Sequence, residues 1–533
     1  MHTYTGVPAS TGIVVGPVEQ IDHGTTGLHR IVCDPFRERA LYDVAVVLAK
    51  DELRRLSQRA KGPDADILLF QIALLEDESF TNEIGDYIAA GAGGAAAVER
   101  AEQIFAGRLK NVDDEYIRER SVDVCDVCRR VVDILDGRPR RRLHLKRPSI
   151  LVADRFFPSD LFSLDRRMVL GLASDQDSTV SHAAIMARSM GIPAVVGLGD
   201  SLLEEFDGRD VFVDGGSGEV FVEPDSQATA ELEARRDKET AHRHYLDAFR
   251  GREAITPDGH RILVCANIGA PKDLEAVQDA DADGIGLFRS EFLYLGRDNY
   301  PPEEDQYRTY RQVLEAMDGR MVVIRTLDIG ADKQADYFEL PKEENPAMGL
   351  RAIRICLARP EVFRTQLRAL YRASAYGKLG IMFPMITSVS EVLRVKEICA
   401  QVQEELKAEG IPFDVKVELG IMIETPAAAV ISDLLAKEVN FFSIGTNDLT
   451  QYTLAVDRQN AQVESFCDRH HEALLRLIRT TVENAHRAGI WAGICGELAA
   501  DTTLTDFFME IGVDELSMTP GAILETKAKI LDR

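Results

Sequence analysis

The chain runs to 533 residues, 45% hydrophobic and 28% charged, a length that divides into several cores and a composition that excludes disorder. Its formal net charge of −26 excludes non-specific nucleic-acid binding, which depends on Lys and Arg neutralising phosphates. No apolar run approaches the roughly 18 residues of a membrane helix, and the start, MHTYTGVPAS, lacks the basic and apolar stretches of a signal peptide, so a soluble, cytoplasmic protein is expected.

In chain order, residues 1 to about 22 are Gly-rich with β-branched runs, which predicts short strands and turns. From about 34 to 136, apolar residues recur at i, i+3 and i+4, as in LYDVAVVLAKDELRRL, and predict helices. Cys125 and Cys128 lie in one of them, spaced to share an apolar face; a core pair and a metal or redox pair both fit. The eight cysteines are otherwise scattered, as reduced thiols are. The basic stretch Arg138 to Pro148 reads as a solvated connector or a docking segment. Beyond it PSILVADRF, MVLGLAS, PAVVGLG and DVFVDGG alternate with short helical segments, an α/β pattern.

Within that stretch Ser181 is placed to cap a helix that begins at His182, followed by AAIMAR with Arg188 two turns on. Amide N–H groups and the helix dipole there would stabilise a phosphate on the imidazole, and neutral imidazole is a competent nucleophile. A surface histidine at a helix start fits the local pattern too.

Residues 225 to 250 are polar and poor in glycine, and predict a helical linker. Eight strand-like runs follow: ILVCANI, GIGLFR, MVVIRT, LGIMFPM, VELGIMIE, FFSIGT, WAGICGE and DELSM. Helical patterns fill most gaps, so a closed (β/α)8 barrel is expected, with an open doubly wound sheet as the alternative. Polar residues end these runs: Arg289, Arg325, Glu424, Asn447 with Asp448, and Cys495 with Glu497. Barrel enzymes build their sites at that face. Glu424 and Asp448 can share a hard cation such as Mg²⁺. Arg289, Arg325 and Arg458 offer planar forks for phosphate and carboxylate, with Arg351 and Arg354 in reach. Cys495 can donate a proton, or be an ordinary buried thiol.

Together, VDDEYIRERSVDV, SHAAIMARSMGIPAVVG, GIGLFRSEFLYLGRD, RTLDIGADK, PKEENPAMGLRAIR, IMIETPAAA, FFSIGTNDLTQYTLAVDR and CGELAAD closely resemble the Enzyme I family of the bacterial sugar phosphotransferase system, over nearly the whole chain. The resemblance implies an α/β multidomain protein. An α/β phosphohistidine domain would occupy residues 1–22 and 143–224, interrupted by a helical domain at 23–142 that binds the phosphocarrier HPr. A helical linker at 225–252 would lead to a phosphoenolpyruvate-binding (β/α)8 barrel at 253–533. His182 would take the phosphoryl group on Nε2 and pass it to HPr. Arg289, Arg325, Asn447, Asp448 and Arg458 would bind phosphoenolpyruvate, Glu424 and Asp448 would hold Mg²⁺, and Cys495 would protonate the enolate as pyruvate forms. Family members dimerise through the barrel, so a homodimer is expected.

Asp177, Ser178 and Val180 replace the Gly-Gly pair and the Thr usual in the family before the histidine, adding a charge and removing a hydroxyl. Ala331 and Gln459 are milder departures. A homologue that binds phosphoenolpyruvate or the carrier as a regulator, without turnover, is the alternative reading.

Overall fold

Short β-branched runs at both ends of the first half of the chain meet in one sheet. The computed structural model describes residues 2–21, 34–57, 63–110, 115–138, 145–161, 164–179, 181–199, 209–295, 297–330, 335–457, 460 and 462–532. They form two compact units, 1–243 and 244–533. In the first, strands β1 (His2–Thr5), β2 (Val7–Ser10), β3 (Ile13–Ile21), β4 (Ser149–Ala153), β5 (Val169–Ser174), β6 (Ala194–Val196), β7 (Asp210–Asp214) and β8 (Glu219–Val222) pair in the order β1-β8-β7-β3-β4-β5-β6-β2. The β3-β4-β5-β6 centre is parallel, and β4, β5 and β6 are almost wholly buried, as strands covered on both faces must be.

Between β3 and β4 the chain leaves the sheet to form five helices: α1 (Pro35–Ser57), α2 (Pro63–Glu76), α3 (Glu78–Ala89), α4 (Gly94–Lys110) and α5 (Glu115–Leu135). Helical spacing decides what they bury. On α1, Tyr42, Ala45, Val46, Ala49 and Leu53 turn inward and meet Phe80, Ile84 and Ile88 of α3 and Val127, Cys128 and Val131 of α5. Cys128 is thus a core residue whose thiol burial pushes well above its ordinary range, while Cys125 stays partly exposed. The basic stretch lies mostly outside the described residues; Arg138, at its start, pairs with Asp136.

The polar segment after β8 is a 22-residue helix, Ser226–Asp247. Leu232 is its one buried residue, packed on Ile13, Phe212 and Phe221, and Arg235 pairs with Asp214 at 2.6 Å.

The eight runs of the second half are eight parallel strands: β9 (Leu263–Ile268), β10 (Ile285–Arg289), β11 (Val322–Arg325), β12 (Leu379–Phe383), β13 (Glu418–Ile423), β14 (Phe441–Gly445), β15 (Trp491–Cys495) and β16 (Glu515–Met518). β16 pairs with β9, so the sheet closes into a barrel and the open alternative is excluded. Leu287, Val323, Met382, Met422, Phe441 and Cys495 fill its interior, with Trp491 stacked on Phe441 at 4.4 Å. Gly420 makes room for that stack, since a Cβ there would lie 2.3 Å from the Phe441 ring. The final helix, Ile523–Leu531, buries Ile523, Ala528 and Ile530, and Lys527 reaches Asp281 and Asp283 at 3.0 and 3.3 Å. Among the described residues no helix is long and apolar enough to cross a membrane.

Candidate active site

In the first unit, Ser181 caps the helix His182–Met190 by accepting the Ala184 N–H at 3.2 Å, and Gly191 ends it in the left-handed region. His182 therefore stands in the first helical turn, where amides are unsatisfied. Arg188 is committed elsewhere. Its guanidinium donates to the carbonyls of Ala9 (3.0 Å) and Thr179 (2.7 Å), fixing the loop before the histidine. Asp177 is buried and accepts the Phe156 N–H at 3.1 Å. Val180 lies outside the described residues, as do Ala331 and Gln459. His182 Nε2 faces a carboxylate the sequence reading did not anticipate, Asp123 of α5, at 3.3 Å.

In the second unit the C-terminal strand ends gather most of the predicted residues. Arg289 ends β10 in register with Arg325 at the end of β11. Arg325 is nearly buried between Glu291 (2.6 Å) and Asp328 (3.0 Å). Arg351 continues the chain of alternating charge, 2.9 Å from Asp328 and 3.9 Å from Asp448. Burial opposes charge on both guanidiniums, yet the carboxylates around them hold them protonated more firmly than usual. Arg289 differs: it is half-buried and has no hydrogen-bond or ion-pair partner among the described residues.

Glu424 follows β13, 1% exposed, and accepts the Met385 N–H at 2.5 Å. Burial first, then Asp448 and Asp328, pushes its carboxyl up to about 8 against the pull of Arg325. Asn447 and Asp448 occupy the first turn of the helix Thr446–Leu454, and the Asn447 side chain accepts the Glu497 N–H at 3.3 Å. Cys495 ends β15, where its sulfur accepts from the Ser443 hydroxyl at 3.1 Å. Burial raises the thiol to about 11, Ser443 opposing and Glu424 adding to the rise. At neutral pH it is a protonated thiol in a barrel mouth.

Two expected neighbours are not part of this cluster. Glu497 is exposed and pairs with Arg469. Arg354 donates to the carbonyls of Met348 and Gly349 at 2.8 and 2.9 Å, bracing the turn before Arg351. Arg458 lies outside the described residues.

The buried carboxylates fit a divalent cation. Glu424 and Asp448 are hard oxygen donors, and the crowding that lifts Glu424 is what a positive ion would relieve. Among the described residues no three His, Cys, Asp or Glu form a cage. A metal here would take two carboxylates and draw its remaining ligands from water and substrate, as Mg²⁺ does.

With this geometry in place, comparison with known proteins gives three matches along the chain. Residues 5–120 match PEP-utilising enzyme, N-terminal; 145–218 match PEP-utilising enzyme, mobile domain; and 243–533 match PEP-utilising enzyme, PEP-binding domain. The phosphoenolpyruvate-protein phosphotransferase of Bacillus subtilis is 39% identical over 99% of this chain and 94% of its own length. Those of Staphylococcus aureus and Priestia megaterium are 40% and 39% identical, each over 98% of this chain and 93% of their own length. The chain belongs to the phosphoenolpyruvate-protein phosphotransferase family. The family accounts for why one chain carries both a capped histidine and an arginine-rich barrel mouth.

Sequence reasoning missed Glu291, Asp328, Ser443 and Asp123. The first two follow the strand-end arginines by two and three residues, so a search for compensating charge around Arg289 and Arg325 finds them. Ser443 alternates along β14, inside the barrel. Asp123 is a charged residue on the buried face of an amphipathic helix, itself a sign of a partner elsewhere.

Proposed function

We propose that the barrel binds phosphoenolpyruvate and that its phosphoryl group passes to His182 Nε2, with release of pyruvate, and then to a histidine of the phosphocarrier HPr. The observation that carries this reading is the barrel mouth, where Arg289, a guanidinium with no partner among the described residues, stands in register with Arg325 near a neutral, buried thiol, Cys495. An anionic substrate needs local positive charge that a chain of net charge −26 does not provide at large. At about 4 Å and an effective dielectric near 20, each unit-charge contact is worth about 4 kcal/mol.

Arg289, Arg325, Arg458, Asn447 and Asp448 hold the substrate, with the Glu291 and Asp328 carboxylates setting the Arg325 fork. Glu424 and Asp448 would hold Mg²⁺, which supplies further neutralisation of the phosphoryl oxygens. The Nε2 lone pair of His182 forms the N–P bond as the bridging P–O bond breaks, and the departing enolate takes the Cys495 proton at carbon. Catalysis is then largely positioning and charge stabilisation.

The helical layer at 23–142 is the docking surface for HPr in this reading. One side of α1 leaves Phe36, Val44, Val47 and Leu48 exposed, and α2 adds Leu69. The protein acts in the cytoplasm as a homodimer joined through the barrel.

The test is transfer of ³²P from labelled phosphoenolpyruvate to wild type and His182→Ala in the presence of Mg²⁺. Acid-labile, base-stable label on wild type alone is expected. Label retained on His182→Ala, or absent from wild type, sinks the assignment.

A further inference from the structure

Nε2, the nitrogen that receives the phosphoryl group in the function proposed above, is turned inward. It is closed to solvent and has no hydrogen-bond partner among the described residues, although the His182 side chain as a whole is 23% exposed. What it faces, at 3.3 Å, is Asp123 Oδ1, equally buried and equally without a hydrogen-bond partner. The two are at ion-pair distance, off the hydrogen-bond line. Asp123 is fully buried, and its other oxygen accepts from Arg120 Nη1 at 3.0 Å.

The carboxylate cannot drift from this place, because α5 is fastened to the α/β layer one turn further on. Asp126 accepts from the Ser159 hydroxyl at 2.5 Å, the Ser159 N–H at 3.1 Å and Gln71 Nε2 at 3.0 Å. Both groups are thus held by their own elements, His182 by its capped helix and Asp123 by α5. Solvent-free space between them leaves no room for a phosphoryl group.

We propose that Asp123 is a positioning residue for the phosphoacceptor: it holds the His182 ring with Nε2 withdrawn and protonated, and so stabilises the unphosphorylated chain relative to the phosphorylated one. Phosphorylation then requires the ring to turn outward. The Nε2 proton leaves to solvent water and Nδ1 takes one up, freeing the Nε2 lone pair to attack. Once phosphorylated, the ring cannot return, because a dianionic group would meet a buried carboxylate. Asp123 therefore raises the tendency of the phosphohistidine to pass its group on. This rests on His182 being the acceptor.

The experiment uses the full chain labelled with ¹⁵N-histidine, the His182 signals being assigned by their loss in His182→Ala. In wild type at pH 8 the proton is expected on Nε2, and in Asp123→Asn the tautomers mix. In parallel, the ratio of phosphorylated to free chain is measured at a fixed ratio of phosphoenolpyruvate to pyruvate. It should rise about tenfold in Asp123→Asn, the worth of one charge-assisted contact. A wild-type proton on Nδ1 overturns the proposal without recourse to any variant, and so does an unchanged ratio in Asp123→Asn. Absence of label from wild type instead refutes His182 as acceptor and leaves the tautomer result standing, so the two failures are distinguishable.

Discussion

Cys495 shows how one residue's surroundings define its task. A thiol raised to about 11 is a poor nucleophile at pH 7 but an intact proton donor. Cys495→Ala should lower pyruvate formation about 100-fold or more with little change in KM for phosphoenolpyruvate, since the proton is needed only as the enolate leaves. Labelling of His182 in reverse, from phosphorylated carrier, should be unchanged; steady-state kinetics and reverse labelling check the two halves. Glu424 gives a pH dependence of definite sign. Its folded value of about 8 lies above the ordinary 4.5, so the folded chain keeps a proton that the unfolded chain has lost. Its contribution to stability is greatest below about pH 4.5 and fades as pH climbs to about 8. A cation competes with that proton. Calorimetric Mg²⁺ affinity should therefore rise about tenfold per pH unit up to about pH 8 and then level off, and Glu424→Gln should flatten the profile.

At the scale of elements, α1 has two faces with different tasks. Its inner face is core, while Val44, Val47 and Leu48 stay exposed among the described residues. Val47→Asp should raise KM for the carrier about tenfold and leave labelling from phosphoenolpyruvate unchanged, a split that separates docking from chemistry. Inside the barrel, Gly420→Ala drives a methyl into the Phe441–Trp491 stack and should cost about 1–3 kcal/mol in denaturant unfolding. Elements of this kind were legible in the sequence, because apolar period and length suffice to locate them. All eight barrel runs became strands, and Ser181 caps the helix of His182 as its spacing predicts. Side-chain direction was not legible. Glu497 and Arg188 stand where the pattern placed them in the chain but point to Arg469 and to backbone carbonyls. Asp123 is separated from His182 by most of a helix and two strands, and no local rule pairs them.

At the scale of the whole molecule, His182 belongs to one compact unit and the arginine cluster to the other. In the proposed function the phosphoryl group crosses between them, and the helix Ser226–Asp247, with one buried residue, is the natural place for movement. A short cross-link fixing the units to each other should leave at most one of the two transfers working. Cross-linked chain that still phosphorylates the carrier at the wild-type rate would exclude the hinge. A different consequence follows from the register of β3 and β4. They run parallel, Ile21 beside Ala153, so the chain leaves β3 at one end of the strand pair and must re-enter β4 at the opposite end. No tight turn can make that journey. The five helices occupy the place of the obligatory crossover, and the layer proposed to receive the carrier is therefore also a structural strut of the layer that bears the histidine. It can be shortened or exchanged for another crossover in evolution or by engineering, but the fold has no form in which it is simply removed.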